Sequence, residues 1–192
     1  GQLIKGIEKE DIVVAKFNPL GEIIWYKVFG GNYNEEIRYM DIDFEGNIYL
    51  RGHFEESIKF GKLELIKIQK DESYGDSNGF FVKIDTHGNE QWIKTLFAKS
   101  TWIRKMKFSK NHLYLIGKMF GKNLIFDGNE YLNNNYNYVC FAKYTLDGKQ
   151  VSFKIFQTTY ISSIEVDNDE NVYFTYDIPS EISVWGTIDE VL

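Results

Sequence analysis

The sequence predicts an all-β fold, and three observations lead to that prediction. Aromatic residues make up 17% of the 192 residues, with only two prolines and sixteen glycines, a composition typical of many short strands joined by glycine turns. No window of about eleven residues or more has the apolar periodicity of an amphipathic helix. The third observation is an internal repeat in three copies, which predicts how the strands are grouped.

The first repeated block contains a lysine, a turn glycine and a tryptophan. The copies align without gaps, and in each the lysine precedes the glycine by five positions while a second lysine follows the glycine by six. A glycine here suits the left-handed conformation that closes a tight hairpin, so the block predicts two antiparallel strands. The recurring residues are Lys16, Gly21, Trp25 and Lys27, then Lys83, Gly88, Trp92 and Lys94, then Lys143, Gly148, Ser152 and Lys154.

The second repeated block is a hairpin that ends in a strand with a central tyrosine. Its strands are short and rich in β-branched and aromatic residues, and a polar turn separates them, which is the expected pattern of a hairpin. Residues 48–50 and 113–116 are apolar at successive positions, which favours strands buried on both faces. The tyrosines are Tyr49, Tyr114 and Tyr173, and a weaker element follows each block at 58–61, 124–128 and 183–186.

Each repeat therefore predicts four short strands. We expect a single domain over 1–192, with repeats at approximately 11–79, 80–139 and 140–192. Four-stranded units that need neighbours to bury their faces are typical of the blades of a β-propeller. A β-sandwich is the alternative, although sandwiches seldom carry such internal similarity.

Two recurring residue types are assigned to the architecture. Trp25 and Trp92 share one repeat position, so we assign them to packing between blades. Lys16, Lys83 and Lys143 also recur in register, which indicates a lysine whose stem lies along the blade and whose charge pairs with an acidic neighbour.

The two blocks together resemble a known family, the bacterial seven-bladed β-propeller repeat called the SBBP repeat. The second copy lacks the Gly-Gly and Gly-Asn elements of that repeat, and the third lacks the tryptophan and the glycine after the tyrosine. The resemblance implies a propeller in a large bacterial surface or secreted protein, and no particular activity. The N-terminus has no signal-peptide pattern. The first copy carries the resemblance best, at Ala15-Lys16, Gly21, Trp25, Phe29-Gly30-Gly31, Asp43, Gly46-Asn47, Tyr49 and Gly52.

Three repeats do not close comfortably, because a closed propeller usually needs at least about four blades. The sequence begins with the lysine and tryptophan strands and stops after a tyrosine hairpin and its weak element, so its two ends are complementary. Three explanations stay open. The chain is part of a larger propeller, or it pairs with another chain into a six-bladed ring, or it is an open monomer.

Charge and composition exclude several classes of protein. A formal net charge of −6 without a basic stripe argues against nucleic-acid binding. No apolar run reaches about 18 residues, so we expect no membrane insertion. The single cysteine, Cys140, has apolar or aromatic neighbours and is interpreted as a buried, inert thiol. We find no nucleophile elbow, phosphate loop or HExxH motif, and therefore predict neither a catalytic residue nor a cofactor.

One candidate metal site comes from ligand spacing. Asp167, Asp169 and Asn171 have the D-x-D-x-N spacing that places oxygen atoms around calcium. The supporting glycine and the later bidentate carboxylate of a calcium loop are not evident. The same slot is a hairpin turn in the other copies, so an Asx-type turn is favoured.

Two polar loops are the candidate binding surface, because they vary between repeats whose strands do not. The acidic loop 71–79 and the asparagine- and tyrosine-rich segment 133–138 suit contacts with a protein or a glycan, although plain connectors remain the simpler interpretation. We predict a non-enzymatic module for protein or glycan binding or for scaffolding. The alternative is a propeller enzyme of lyase or glycosidase type that uses carboxylates near a central channel. The candidate binding residues are Asp71, Tyr74, Asp76, Asn78, Asn133, Tyr136 and Tyr138.

Overall fold

The computed structural model describes residues 11–67, 78–97, 100–121, 123–132, 137–156 and 161–176. All regular structure in these ranges is β-strand, which confirms the all-β class. Within the same ranges, no helix has the length and apolarity needed to cross a membrane. The strands are β1 (Ile12–Phe17), β2 (Ile23–Phe29), β3 (Glu35–Ile42), β4 (Ile48–Phe54), β5 (Ser57–Phe60), β6 (Leu63–Ile66), β7 (Asn78–Ile84), β8 (Glu90–Phe97), β9 (Ser100–Phe108), β10 (His112–Phe120), β11 (Asn123–Phe126), β12 (Asn129–Leu132), β13 (Asn137–Thr145), β14 (Gln150–Phe156), β15 (Ile161–Val166) and β16 (Val172–Tyr176).

The strands pair in groups that cross the expected repeat bounds, because each full unit joins the tyrosine hairpin of one repeat to the lysine hairpin of the next. Strands β3, β4, β7 and β8 form one antiparallel unit in that order, and β9, β10, β13 and β14 form the next. Hairpin β1–β2 corresponds to the second half of such a unit, because it carries the lysine and the tryptophan. Hairpin β15–β16 corresponds to the first half, because it carries the tyrosine. None of the described sheets closes on itself.

In the first two repeats the weak element is a hairpin that folds back onto the preceding unit. Hairpin β11–β12 extends the first unit to six strands, because β11 pairs with β8 through Ile125 and Phe97. Hairpin β5–β6 makes the equivalent contact with the end of β2, where Gly30 and Lys59 exchange two backbone hydrogen bonds of 3.2 and 3.1 Å. The third weak element, 183–186, lies outside the described residues.

Four of the described hairpin turns are closed by the same side-chain contact. Asp43 Oδ1 accepts hydrogen bonds from the backbone amides of Glu45 and Asn47, at 3.0 and 2.9 Å. Such a bond from the amides two and four residues on is an Asx turn, which lets Asp or Asn start a tight hairpin. Asn18, Asp85 and Asp167 accept the same pair of amides in their turns.

Apolar side chains bury themselves between successive units in three clusters. The first lies between β1–β2 and the first full unit and contains Val14 and Val82. The second lies between the two full units and contains Phe81 and Leu115. The third lies between the second full unit and β15–β16. The units are therefore stacked face to face in sequence order, which explains why strands such as β7 are buried along their whole length.

A repeated polar contact joins consecutive units. Lys16 Nζ and Trp25 Nε1 both donate to the carbonyl of Thr86 in the following unit, at 3.3 and 3.0 Å. We call this arrangement, a lysine and a tryptophan on one carbonyl of the next turn, the inter-sheet clamp. It places the tryptophan between units, as the sequence predicted. Its lysine is held by a carbonyl, which the sequence did not predict.

The clamp recurs one unit further along the chain. Lys83 Nζ and Trp92 Nε1 donate to the carbonyl of Leu146 at 2.9 and 3.2 Å, and Leu146 occupies the repeat position of Thr86. The Trp92 ring covers Gly148, where a Cβ atom would lie 2.8 Å from the indole. The predicted acidic neighbour is also present, since Lys83 Nζ lies 3.9 Å from Asp43 Oδ2.

The cysteine is part of the core between the two full units. Cys140 is a free thiol and is buried. Burial raises the pKa of this thiol to about 12, because the thiolate would lose its hydration. The prediction that Cys140 is a buried thiol is confirmed.

Candidate functional site

A cleft of about 440 Å³ lies between strands β3 and β9. These are the first strands of the two full units, and β3 is the edge strand of the six-stranded sheet. We call it the β3–β9 cleft. It is the candidate site because it combines exposed apolar side chains with buried and half-buried charges in one concave surface.

The second half of β3 exposes apolar side chains along its wall of the cleft. Met40 and Ile42 have exposed fractions of 56% and 57%, and Tyr39 one of 51%. Phe44, in the turn that follows, is 81% exposed. Grouped apolar side chains on an unpaired edge are typical of a surface that contacts another chain, since such edges are otherwise prone to aggregate.

Arg51 holds the two walls of the cleft together. It lies on β4, is 3% exposed, and donates from Nη1 to the carbonyl of Ile103 on β9. Its guanidinium carbon lies 3.7 Å from the centre of the Tyr39 ring, which is cation–π geometry. Burial lowers the pKa of Arg51 to about 10, so the side chain is still charged at neutral pH.

Asp41 supplies negative charge to the same cleft. Burial raises the pKa of this carboxyl group, and the nearby cations Arg51, Lys107 and Lys105 oppose that rise. Lys107 in turn forms an ion pair of 3.0 Å with Glu165 on β15. The cleft is therefore lined by Lys105 and Lys107 on the β9 side, with Asp41 on the opposite wall and Asp43 just beyond β3.

Asp43 also lines the cleft, but its carboxylate is engaged in the hairpin turn. Its carboxylate accepts from two backbone amides, from Asn47 Nδ2 at 2.9 Å and from the Tyr49 hydroxyl at 3.1 Å. A carboxylate that uses its lone pairs in this way is a poor general base, because a substrate proton would have to displace an existing hydrogen bond.

A second polar cluster forms where β15–β16 meets the second full unit. Ser109 Oγ donates to Glu170 Oε1 at 2.7 Å, His112 Nδ1 lies 2.8 Å from Glu170 Oε2, and Lys143 Nζ lies 3.3 Å from the same oxygen. Burial opposes ionisation here, but the bonds from Ser109, His112 and Lys143 lower the pKa of Glu170 to about 2.

This cluster contains a serine, a histidine and a carboxylate, but not in nucleophile geometry. Ser109 and His112 both contact Glu170, whereas a catalytic serine donates to the histidine that activates it. Ser109 Oγ also accepts from the backbone amides of Asn111 and His112, at 3.3 and 3.0 Å. The cluster therefore stabilises the junction between two units.

In the candidate calcium site, the Asp167 carboxylate accepts hydrogen bonds from its own hairpin. Asp167 Oδ1 accepts from the amides of Asp169 and Asn171, and Oδ2 accepts from Asn171 Nδ2 and the Tyr173 hydroxyl, all at 2.9 Å. The Asx turn favoured from the sequence is confirmed. The calcium arrangement is not formed, because the carboxylate oxygens point to donors within the hairpin. Among the described residues, no group of three or more candidate ligands is assembled for a metal.

The two predicted binding loops are only partly described. Asp71, Tyr74, Asp76, Asn133 and Tyr136 lie outside the described residues, so their role stays a prediction.

The two described members of that set belong to strands, which corrects the expected ends of both loops. Asn78 begins β7, is 3% exposed, and donates from Nδ2 to the carbonyl of Glu55 at 3.0 Å. Tyr138 lies in β13 and is fully buried in the core between the full units. The polar and aromatic composition around Asn78 and Tyr138 is typical of a loop, but both residues are buried within strands.

The β3–β9 cleft was not identified from the sequence. One signal was available: Arg51 interrupts the apolar strand Ile48–Phe54, and a buried arginine requires partners. The facing lysines of β9 could be placed opposite it only once the stacking of the two units was known.

Comparisons with known proteins do not assign the chain to a family. No family model matches the sequence. No curated protein matches it either.

Proposed function

We propose that this chain is a non-enzymatic interaction module, built from propeller-type units, that binds a protein partner at the β3–β9 cleft. The observation that carries the proposal is the apolar edge of β3, where Tyr39, Met40 and Ile42 are each more than half exposed beside the charged β9 wall. An edge strand of this kind can accept an extended segment by adding backbone hydrogen bonds, while its side chains provide specificity.

The propeller part of the proposal is supported by the stacking. Two complete four-stranded units and two half units follow one another in sequence order, and the same inter-sheet clamp joins consecutive units twice. Radial repetition of such units produces a propeller. The resemblance to the SBBP repeat adds an extracellular or cell-surface location to the proposal, and continuation of the array beyond this chain is compatible with it.

A glycan is the second ligand class considered for this cleft. Sugar rings stack on exposed aromatic faces, and Phe44 at 81% exposed and Tyr39 at 51% offer such faces. The cleft, however, combines these rings with Met40 and Ile42, which have no hydrogen-bonding group for sugar hydroxyls. That composition favours a peptide segment with apolar side chains.

Catalysis is the weaker interpretation of the same surface. A glycosidase needs two working carboxyl groups on either side of the scissile bond. Asp41 lines the cleft, but the Asp43 carboxylate, two residues further on, already accepts four hydrogen bonds from its own hairpin. The acid–base pair that a lyase or glycosidase would require is therefore poorly provided.

The experiment compares two matched surface variants. Phe44 and Leu20 are both apolar turn residues, 81% and 84% exposed, but only Phe44 lines the cleft. The chain is immobilised and screened against a displayed library of random peptides and against a glycan array, and the affinity of each enriched ligand is measured for wild type, Phe44→Asp and Leu20→Asp.

We expect enriched peptides with apolar side chains, whose affinity falls about tenfold with Phe44→Asp, or roughly 1.4 kcal/mol, and is unchanged with Leu20→Asp. Peptides that bind both variants as tightly as wild type would contradict the proposed site. Enrichment of glycans alone, with the same loss in Phe44→Asp, would replace the protein partner by a glycan.

A further inference from the structure

Glu35 carries a buried carboxylate whose two oxygens have no hydrogen-bond partner in the part of the chain that the structure describes. It is the first residue of β3 and is 4% exposed. A buried ionised group is costly unless it is paired, so buried acidic side chains are found with hydrogen bonds, with a cation or with a metal ion. Glu35 is an exception that needs a physical reason.

The charged groups that act on Glu35 are negative. Burial raises the pKa of its carboxyl group, and the charges of Asp11 and Glu55 add to that rise. The nearby backbone amides of Gly31 and Tyr33 oppose the rise in part. Electrostatics at this place therefore favour a positive charge beside the carboxylate.

Oxygen atoms from other elements converge on the same place, next to the glycine pair that follows β2. A Cβ atom on Gly31 would lie 3.0 Å from Glu35 Oε1, 2.8 Å from the Ser57 carbonyl oxygen and 3.5 Å from Ser57 Oγ. A Cβ atom on Gly30 would collide with Asp11 Oδ1 and lie 3.3 Å from Glu35 Oε2. The two glycines thus leave room for a group of oxygens that any side chain would displace.

The second repeat shows that the fold forms without these carboxylates. In the aligned blocks, Asn78 occupies the position of Asp11, and Thr101 occupies that of Glu35. Strands β7 and β9 are present all the same, and Asn78 Nδ2 donates to the Glu55 carbonyl at 3.0 Å. The Gly-Gly pair also occurs in the first copy alone. Glycines and carboxylates that occur together in one copy are typical of a site added to a repeated framework.

We propose that Glu35, Asp11 and Ser57 bind a calcium ion beside Gly30 and Gly31. The ligands offered are carboxylate, carbonyl and hydroxyl oxygens, which is the set that Ca²⁺ prefers. Among the described residues, no group of three or more His, Cys, Asp and Glu side chains is assembled for a metal, so the carbonyl, the hydroxyl and water complete the shell. Zn²⁺ favours His and Cys, and Mg²⁺ demands a tighter octahedral shell.

A cation at this place connects three elements of the first part of the chain. Gly30 follows β2, Glu35 begins β3 and Ser57 begins β5. The only other link described between β2 and hairpin β5–β6 at this point is the backbone bridge between Gly30 and Lys59. The ion therefore neutralises Glu35 and strengthens the attachment of hairpin β5–β6.

The test measures Ca²⁺ binding by isothermal titration, and Tm with and without Ca²⁺, on the full 192-residue chain after dialysis against EDTA. Glu35→Gln keeps the shape of the side chain and removes its charge. The matched control is Glu36→Gln, the next residue of β3, whose side chain is 56% exposed and pairs with Arg38. Asp11→Asn introduces the residue that the second repeat has at this position, and it carries the test if Glu35→Gln does not fold.

For wild type and Glu36→Gln we expect saturable heat and a rise in Tm of about 5–10 °C in about 10 mM Ca²⁺, the rise that a ligand about a hundredfold above its Kd gives a chain of this size. We expect a rise below about 1 °C in Glu35→Gln, and a rise at least about twofold smaller than that of wild type in Asp11→Asn. Without Ca²⁺, Glu35→Gln should have a Tm no lower than wild type, because it removes an unpaired buried charge.

Three results would overturn the proposal. The first is no heat and no change in Tm when Ca²⁺ is added to wild type. The second is an equal rise in wild type and Glu35→Gln, which would place the ion elsewhere. The third is an equal response to Mg²⁺ at the same concentration, which would remove the assignment to calcium. None of these results depends on ligand binding at the β3–β9 cleft.

Discussion

Alanine substitution of two equivalent glycines separates backbone strain from contact between units. Gly21 and Gly148 occupy the same turn position and have φ values of 79° and 90°. Alanine in this region costs about 1–2 kcal/mol in either turn, because its Cβ approaches the following carbonyl oxygen. Around Gly21 the space is open, whereas at Gly148 a Cβ atom would lie 2.8 Å from the Trp92 ring.

Gly148→Ala should therefore carry a second cost. Moving the indole away loosens the core between the full units, which costs about 1–3 kcal/mol. It also weakens the 3.2 Å hydrogen bond from Trp92 to the Leu146 carbonyl, worth about 1 kcal/mol. We expect Gly148→Ala to lose about 2 kcal/mol more free energy of unfolding than Gly21→Ala.

The assay is urea unfolding of wild type and the two variants, followed by circular dichroism. Thermal unfolding supplies a second reading, since about 2 kcal/mol corresponds to a Tm difference of roughly 4–8 °C for a chain of this size. Equal losses in the two variants would refute the reasoning, because they would show that Trp92 does not press against the next turn.

Two further predictions concern the charged contacts between units. Lys83→Met keeps the apolar stem but removes the hydrogen bond to Leu146 and the ion pair with Asp43. We therefore expect urea unfolding to show a free energy of unfolding about 2 kcal/mol lower than that of wild type. The control is Lys110→Met at an exposed lysine, which should leave stability within about 0.5 kcal/mol of wild type. Glu170 has a folded-state pKa of about 2 against an ordinary value of 4.5, so its ionised form stabilises the fold above pH 4.5, and that contribution is lost as the pH falls from 4.5 towards 2. Tm measured against pH should show wild type more stable than Glu170→Gln at neutral pH, with the difference shrinking across that window; a difference that is constant with pH would contradict the ionised contact.

The strands that pair locally could be predicted from the sequence. Recurring positions such as Lys83, Gly88 and Trp92 lie in or beside one hairpin, so their spacing in the chain is also their spacing in space. The Asx turn at Asp167 was favoured for the same reason, since its donors are two and four residues away.

Contacts between units could not be predicted in the same way. The carbonyl of Leu146 becomes the acceptor for Lys83 only because two sheets stack in one particular offset. Arg51 reaches Ile103 through the same offset. Hairpin β11–β12 looked like a weak element because its partner, β8, belongs to the preceding four-stranded unit. Burial of Tyr138 likewise depends on packing rather than on its asparagine-rich neighbours.

In the inter-sheet clamp, tryptophans at one repeat position are bonded to the turn of the next unit. The most direct measurement is hydrogen exchange of the Trp25 and Trp92 indole N–H groups by NMR. Since both donate to a carbonyl, at 3.0 and 3.2 Å, we expect exchange at least about a hundredfold slower than in free tryptophan, because exchange requires the contact to open. Exchange of both groups at the free rate would contradict the inter-sheet clamp.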